Sequence, residues 1–166
     1  MMVKYRIMSI LYILLPITIS AQCTLSPDSE NVVGTQLAGD WQINGDLSTQ
    51  LWPDYMTGIG VTTISFTDNP SIVNMVPKGD CRWINDLGLQ LFMAGEFSYP
   101  TEQGLEIFPF VLSSISGNPK IFFWREEGER ESFNLMIARA EDKNKDLLFI
   151  AVDEHQPFIA WSRIEI

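Results

Sequence analysis

From Leu37 to its end the chain is cut, at short and regular intervals, by clusters of turn-forming residues, and no other feature constrains the fold as strongly. The clusters are Asp68-Asn69-Pro70, Pro77-Lys78-Gly79-Asp80, Tyr99-Pro100-Thr101-Glu102-Gln103-Gly104, Ser116-Gly117-Asn118-Pro119, Glu126-Glu127-Gly128-Glu129 and Asp142-Lys143-Asn144-Lys145. Proline fixes φ, glycine frees it, and Asn and Asp bond their own backbone, so each cluster ends an element and turns the chain. Their spacing is that of an antiparallel meander. It predicts strands over 37–44, 61–67, 71–76, 88–97, 105–113, 120–125, 132–140, 146–152 and 158–165. The one predicted helix lies in the first long connection, Leu47 to Met56, where Pro53 limits it to a turn or two. About eight to nine short strands joined neighbour to neighbour predict an all-β fold, an up-and-down antiparallel β-barrel rather than a sandwich.

Several of these strands are apolar on both faces. Leu105 and Ile107 alternate with Phe108 and Phe110, and Leu147 and Phe149 alternate with Leu148 and Ile150. A sheet with one wet face would show a polar residue at every second position. Something must therefore cover the second face. In a barrel one face lines an apolar lumen and the other packs under loops or a partner; a core filled solid remains the alternative.

The segment before the strands has a different character. Lys4 and Arg6 precede an apolar run from Ile7 to Ile19 and then Ser20-Ala21, the parts of a secretory signal, with cleavage expected after Ala21. The run is short for a membrane span and contains Pro16. The expected organisation is a signal peptide at 1–21, an arm at 22–36 and one barrel domain at 37–166, long enough to bury about 70% of its unfolded surface. Loss of Lys4 and Arg6 takes the net charge from −10 to −12. So acidic a surface repels phosphate backbones and anionic membranes, so we expect no nucleic-acid partner and no stable membrane insertion. Cys23 and Cys81 would meet an oxidising compartment, where one disulfide tying arm to body is the simple reading. Neither has a second ligand-type residue at metal spacing, and no metal is expected.

Gly39-Asp40-Trp41 opens the first strand and Arg163 lies on the last. This order, with a long first connection and a strand meander between, resembles the calycins, which comprise the lipocalins and their fatty-acid-binding relatives. Lys145-Asp146-Leu147 is a loose echo of the second lipocalin motif. The first third is also similar to a fatty-acid-binding protein in Gly39-Asp40-Trp41-Gln42-Ile43, Asp54-Tyr55-Met56, Gly58-Ile59-Gly60-Val61 and Pro70-Ser71-Ile72. The resemblance implies that Gly39, Trp41 and Arg163 are a structural signature, with Arg163 stacked on Trp41 where the barrel closes. It places Trp52, Tyr55 and Met56 in the lid over the mouth. In the fatty-acid-binding branch a closing Arg-x-Tyr grips a carboxylate, whereas here Arg163-Ile164-Glu165 puts a Glu in the place of the Tyr.

We assign Phe108 and Phe110 to the apolar wall around a ligand, since rigid aromatic rings give contact area at low entropic cost. Arg139 continues the alternate row Phe133, Leu135, Ile137. It either points into the lumen, where it would neutralise an acidic head group, or sits at the rim in solvent. Arg82 and Arg125 end strands near turns, where solvated charges are the default. His155, the single histidine, follows Asp153-Glu154 beside Pro157 and reads as a turn residue. No Gly-x-Ser-x-Gly elbow accompanies it. Asp142, Asn144 and Asp146 imitate a calcium loop, but Leu147 takes the position that needs Gly. No enzyme activity and no cofactor are expected. The expected function is extracellular binding, with transport or sequestration, of a small hydrophobic ligand such as a fatty acid, retinoid, carotenoid or sterol. The alternative is a secreted interaction or inhibitor module with a solid core, acting through its loops on a protein partner.

Overall fold

The structure, a computed structural model, describes residues 22–26, 36–52, 60–115, 118–125, 129–140, 145–151 and 158–165. The proposed signal segment at 1–21, Tyr55, Met56 and His155 lie outside the described residues. Eight strands form the barrel: β1 Gly39–Ile43, β2 Thr63–Asp68, β3 Leu91–Thr101, β4 Gly104–Ile115, β5 Asn118–Trp124, β6 Arg130–Ala140, β7 Lys145–Ala151 and β8 Ile159–Arg163. Each pairs antiparallel with the next, and β8 returns to β1 through Trp41 opposite Arg163 and Ile43 opposite Trp161, closing the barrel. The predicted up-and-down barrel is observed, with eight strands rather than nine.

The missing ninth strand is a finding about the connection between β2 and β3. Ser71 to Val76, expected as a strand, forms a 3₁₀ helix over Pro70–Met75, and an α-helix over Lys78–Asp86 takes in most of the turn expected at Pro77 to Asp80. Asn69 caps the first by accepting from Ser71 N, and Pro70 supplies a preset φ at its start. The buried residues then fall at helical rather than strand spacing, Ile72 with Val76 and Cys81 with Ile84. The helix expected at 47–56 is present as α1, Gly45–Leu51, and we call the Lys78–Asp86 helix α2. Asn44 Oδ1 caps α1 by accepting from Leu47 N at 3.0 Å, and Trp52 ends it at φ −149° and ψ 78°, outside the helical region that a following proline disfavours. Ser48 Oγ donates to Ala160 O and accepts from Ala160 N, both at 3.0 Å, which clamps α1 to β8.

The helices of this connection cover the second face over part of β3 to β5, whereas Leu105 and Ile107 of β4 stay exposed. An inner cluster, including Trp41, Phe66, Phe97, Phe110, Phe123 and Trp161, fills the barrel side of the sheet. An outer cluster joins Ile72, Val76, Cys81 and Ile84 of the connection to Ala94, Val111, Phe122 and Trp124 on the outward faces of β3 to β5. The Cys23–Cys81 disulfide ties the arm to α2, and Leu25 bridges in parallel to Leu91. Asp80 secures the far side of α2, accepting from Trp124 Nε1 at 2.9 Å and pairing with Arg130 at 2.6 Å. Gly95 is required where β2 and β3 cross, because a Cβ there would stand 1.8 Å from Thr67 O. No helix among the described residues is long and apolar enough to cross a membrane.

Candidate functional site

The two ends of the barrel differ in chemistry. At one end β1 begins and β8 finishes, and here Trp41, fully buried, donates its indole N–H to Leu37 O at 2.9 Å. The Arg163 guanidinium lies 4.3 Å above the Trp41 ring. It donates to Ala38 O at 2.8 Å and to Gln36 O, and its Nε meets Asp146 Oδ2 at 3.2 Å. Gly39 has φ +129°, and a Cβ on it would fall 2.6 Å from Arg163 Nη1. The Trp-Arg stack expected from the sequence is therefore present, and the glycine two residues before Trp41 makes room for the arginine. Arg163 spends its donors on the chain itself, so this end is a plug. Arg139 sits at the same end, register-paired with Asp146 and exposed.

The opposite end, which we call the mouth, carries a polar rim. Below it Phe97 forms the hub of an aromatic column, with ring centroids 5.0 Å from Phe123, 5.1 Å from Phe108 and 5.8 Å from Phe133. Phe110, fully buried, lies deeper and meets Phe66 edge to face at 5.7 Å. Edge-to-face and offset rings are the favourable pairings for aromatic quadrupoles. Above the column four polar side chains continue the inward rows by one step each. Tyr99 follows Phe97, Glu106 precedes Phe108, Arg125 follows Phe123 and Glu131 precedes Phe133, each by two residues. Tyr99 Oη donates to Glu106 Oε2 at 2.8 Å, and Arg125 forms an ion pair with Glu131. The Arg125 guanidinium carbon stands 5.5 Å from the Phe108 ring centre. Burial raises the Tyr99 phenol above its ordinary value, and the bond to Glu106 and its charge push the same way. The Arg125 guanidinium is raised chiefly by its bond to Glu131.

The wall of the barrel opens beside this polar set. The β4–β5 ladder begins at Phe110 opposite Phe123, so Gly104 to Pro109 pair with β3 alone. In that gap lies a pocket of about 690 Å³ lined by Leu105, Glu106, Ile107, Phe108, Trp124 and Arg125, among others. Inward-facing Phe108 and outward-facing Leu105 and Ile107 share this lining. Outside, Leu105 and Ile107 are 62% and 54% exposed.

Of the residues singled out in the sequence, Phe108 and Phe110 line the barrel and Phe108 reaches the pocket. Trp52 ends α1 at the mouth end, while Arg139 lies at the plug end and does not meet them. Tyr99, Glu106, Arg125 and Glu131 were missed because each stands in or beside a turn cluster. Alternation counted outward from the neighbouring phenylalanines would have found them. Among the described residues no group of three or more His, Cys, Asp or Glu could hold a metal ion. The barrel thus carries a polar rim over an aromatic column at one end and the Trp41–Arg163 plug at the other. Compared with protein-family models, with curated proteins and with solved structures, the chain finds no match.

Proposed function

We propose that this chain is a secreted, lipocalin-like carrier that binds a small hydrophobic ligand inside its barrel and transports or sequesters it. The carrying observation is the polarity of the barrel: an apolar, largely aromatic inner wall, a plug at one end and a polar rim with an adjoining pocket at the other. Ile43, Phe133, Ile137 and Ile159 pack against the inner cluster and are only half-buried, which supports space along the axis. Each CH₂ taken from water would contribute about 0.8 kcal/mol, so a long ligand needs few polar contacts. The Trp41–Arg163 stack on a Gly39 that leaves room for it supports the lipocalin branch. Secretion draws support from the N-terminal signal pattern and from the disulfide that joins Cys23 to Cys81.

Native mass spectrometry of the secreted protein, followed by solvent extraction, tests the reading. A stoichiometric apolar molecule is the expected result. An empty protein that also fails to bind a fluorescent fatty-acid probe would favour the second reading, a partner-binding module. That alternative has its own observation, the adjacent exposed Leu105 and Ile107 on the unpaired half of β4.

A further inference from the structure

One polar atom inside the barrel has no counterpart. Trp161 lies on β8 in the inner cluster, 5% exposed, opposite Ile43 on β1 and Leu148 on β7. Its Nε1–H is the one buried side-chain polar atom among the described residues without a hydrogen-bond partner. The other two buried tryptophans behave differently: Trp41 donates to Leu37 O and Trp124 to Asp80 Oδ2, each at 2.9 Å. A buried donor left unmade carries a desolvation cost, and folded proteins pair nearly all such groups. Trp161 Nε1 is buried within the inner cluster, so an acceptor reaches it only with a molecule that enters that cluster.

We propose that the Trp161 indole N–H is the polar anchor of the lumen and that its ligand is an uncharged apolar molecule carrying one hydrogen-bond acceptor oxygen, such as a ketone, aldehyde or ester. The inference rests on the carrier reading and narrows it. Charge decides against a carboxylate at this level. The inward-row cations Arg125 and Arg163 are committed to Glu131 and Asp146, and Arg139, one register step toward the plug, is exposed. An anion beside Trp161 would be a buried charge without a partner, which costs far more than one neutral hydrogen bond returns. The mouth adds to this selection, since two carboxylates, Glu106 and Glu131, face it with one guanidinium between them. A single neutral acceptor satisfies the indole without introducing charge.

The test compares 2-undecanone, undecane and undecanoic acid as competitors of a fluorescent apolar probe, in wild type and in Trp161→Phe. The ketone is expected to compete about five- to tenfold better than the alkane in wild type, the worth of one net hydrogen bond, and no better than the alkane in Trp161→Phe. The acid should be the weakest of the oxygenated pair at neutral pH. In wild type the Trp161 indole ¹H–¹⁵N resonance, identified by its absence from the variant, should move downfield with the ketone and stay in place with the alkane. Trp161→Phe removes the unpaired donor but also part of a buried ring, so a cooperative thermal transition and an unchanged near-ultraviolet circular dichroism shape outside the tryptophan band are checked before the competition is read. Equal binding of ketone and alkane by wild type, or a ketone preference that survives in Trp161→Phe, overturns the assignment and leaves the carrier reading standing. Tighter binding of the acid also overturns it. Failure of every competitor and of the probe overturns the carrier reading and this assignment with it.

Discussion

Gly39 and Arg163 are joined by a distance that leaves no room for a side chain, and this makes their coupling measurable. Gly39→Ala would place a Cβ 2.6 Å from Arg163 Nη1 at φ +129°, a conformation open to glycine and strained for other residues. Backbone strain of this kind costs about 1–3 kcal/mol, and that loss is the expected result in urea denaturation. Arg163→Ala should lower the cost of Gly39→Ala by removing the clash, though not the φ strain, so the double variant should fall short of the sum of the singles. Tyr99 gives a second prediction, in pH. Its phenol is raised in the folded protein above the ordinary 10.0, so the protonated form is the one that folding favours. The stability this provides is whole below the unfolded value and is lost as pH rises through the higher folded one. Tyr99→Phe should therefore flatten part of the alkaline fall in the urea midpoint and leave the midpoint's dependence on pH near neutrality unchanged. The plug was legible in the sequence because a Gly-x-Trp and a terminal Arg are fixed by local sterics and chain position. The mouth was not, because Tyr99, Arg125 and Glu131 are residue types that turns also favour, and only their parity with Phe97, Phe123 and Phe133 marks them as inward.

Strands were easier to read than helices in this chain, and α2 shows why. Its nine residues include Gly79 and three charged side chains other than its first, and it starts at Pro77 without a side-chain cap. Its apolar face, Cys81, Ile84 and the partly buried Trp83, does fall at helical spacing, but it is short and opens on the Pro77-Lys78-Gly79-Asp80 turn signal, which hides it. The helix gains its stability from what it covers, with Trp83 edge to face on Phe122 at 5.4 Å and Arg130 stacked 3.8 Å over the Trp83 ring. The disulfide fixes this element to the arm across a sequence separation of 58. Closing a loop of that length restricts the unfolded chain by about 4 kcal/mol in the chain-entropy account. The double variant Cys23→Ser, Cys81→Ser should lose stability of that order, read as a lower denaturation midpoint. The same variant should increase hydrogen exchange in α2 and spare the inner strands, since the outer cluster loosens while the barrel ladders persist. Equal loss of protection in β6 and β7 would contradict a division into inner and outer layers.

Closure is the property that belongs to the whole barrel. Residues 41 and 163 pair directly, so the first and last strands must find each other before the ladder has no edges. β8 contributes more than its five residues suggest: it supplies Trp161 to the inner cluster, Arg163 to the plug, and Ala160, whose backbone holds Ser48 of α1. Without it β1 and β7 would each present an unpaired edge, and the inner cluster would lie open along one side. A chain ending at Pro157 should therefore lose cooperative unfolding and near-ultraviolet circular dichroism, and associate through its exposed edges, while the outer cluster, which contains no β8 residue, keeps part of its protection. Supplying residues 158–166 as a separate peptide should restore the near-ultraviolet signal, because the missing strand has partners waiting on both sides. A truncated chain that unfolds cooperatively at the wild-type midpoint would mean that the eighth strand decorates an already complete sheet, and the plug and lumen argued from its residues would go with it.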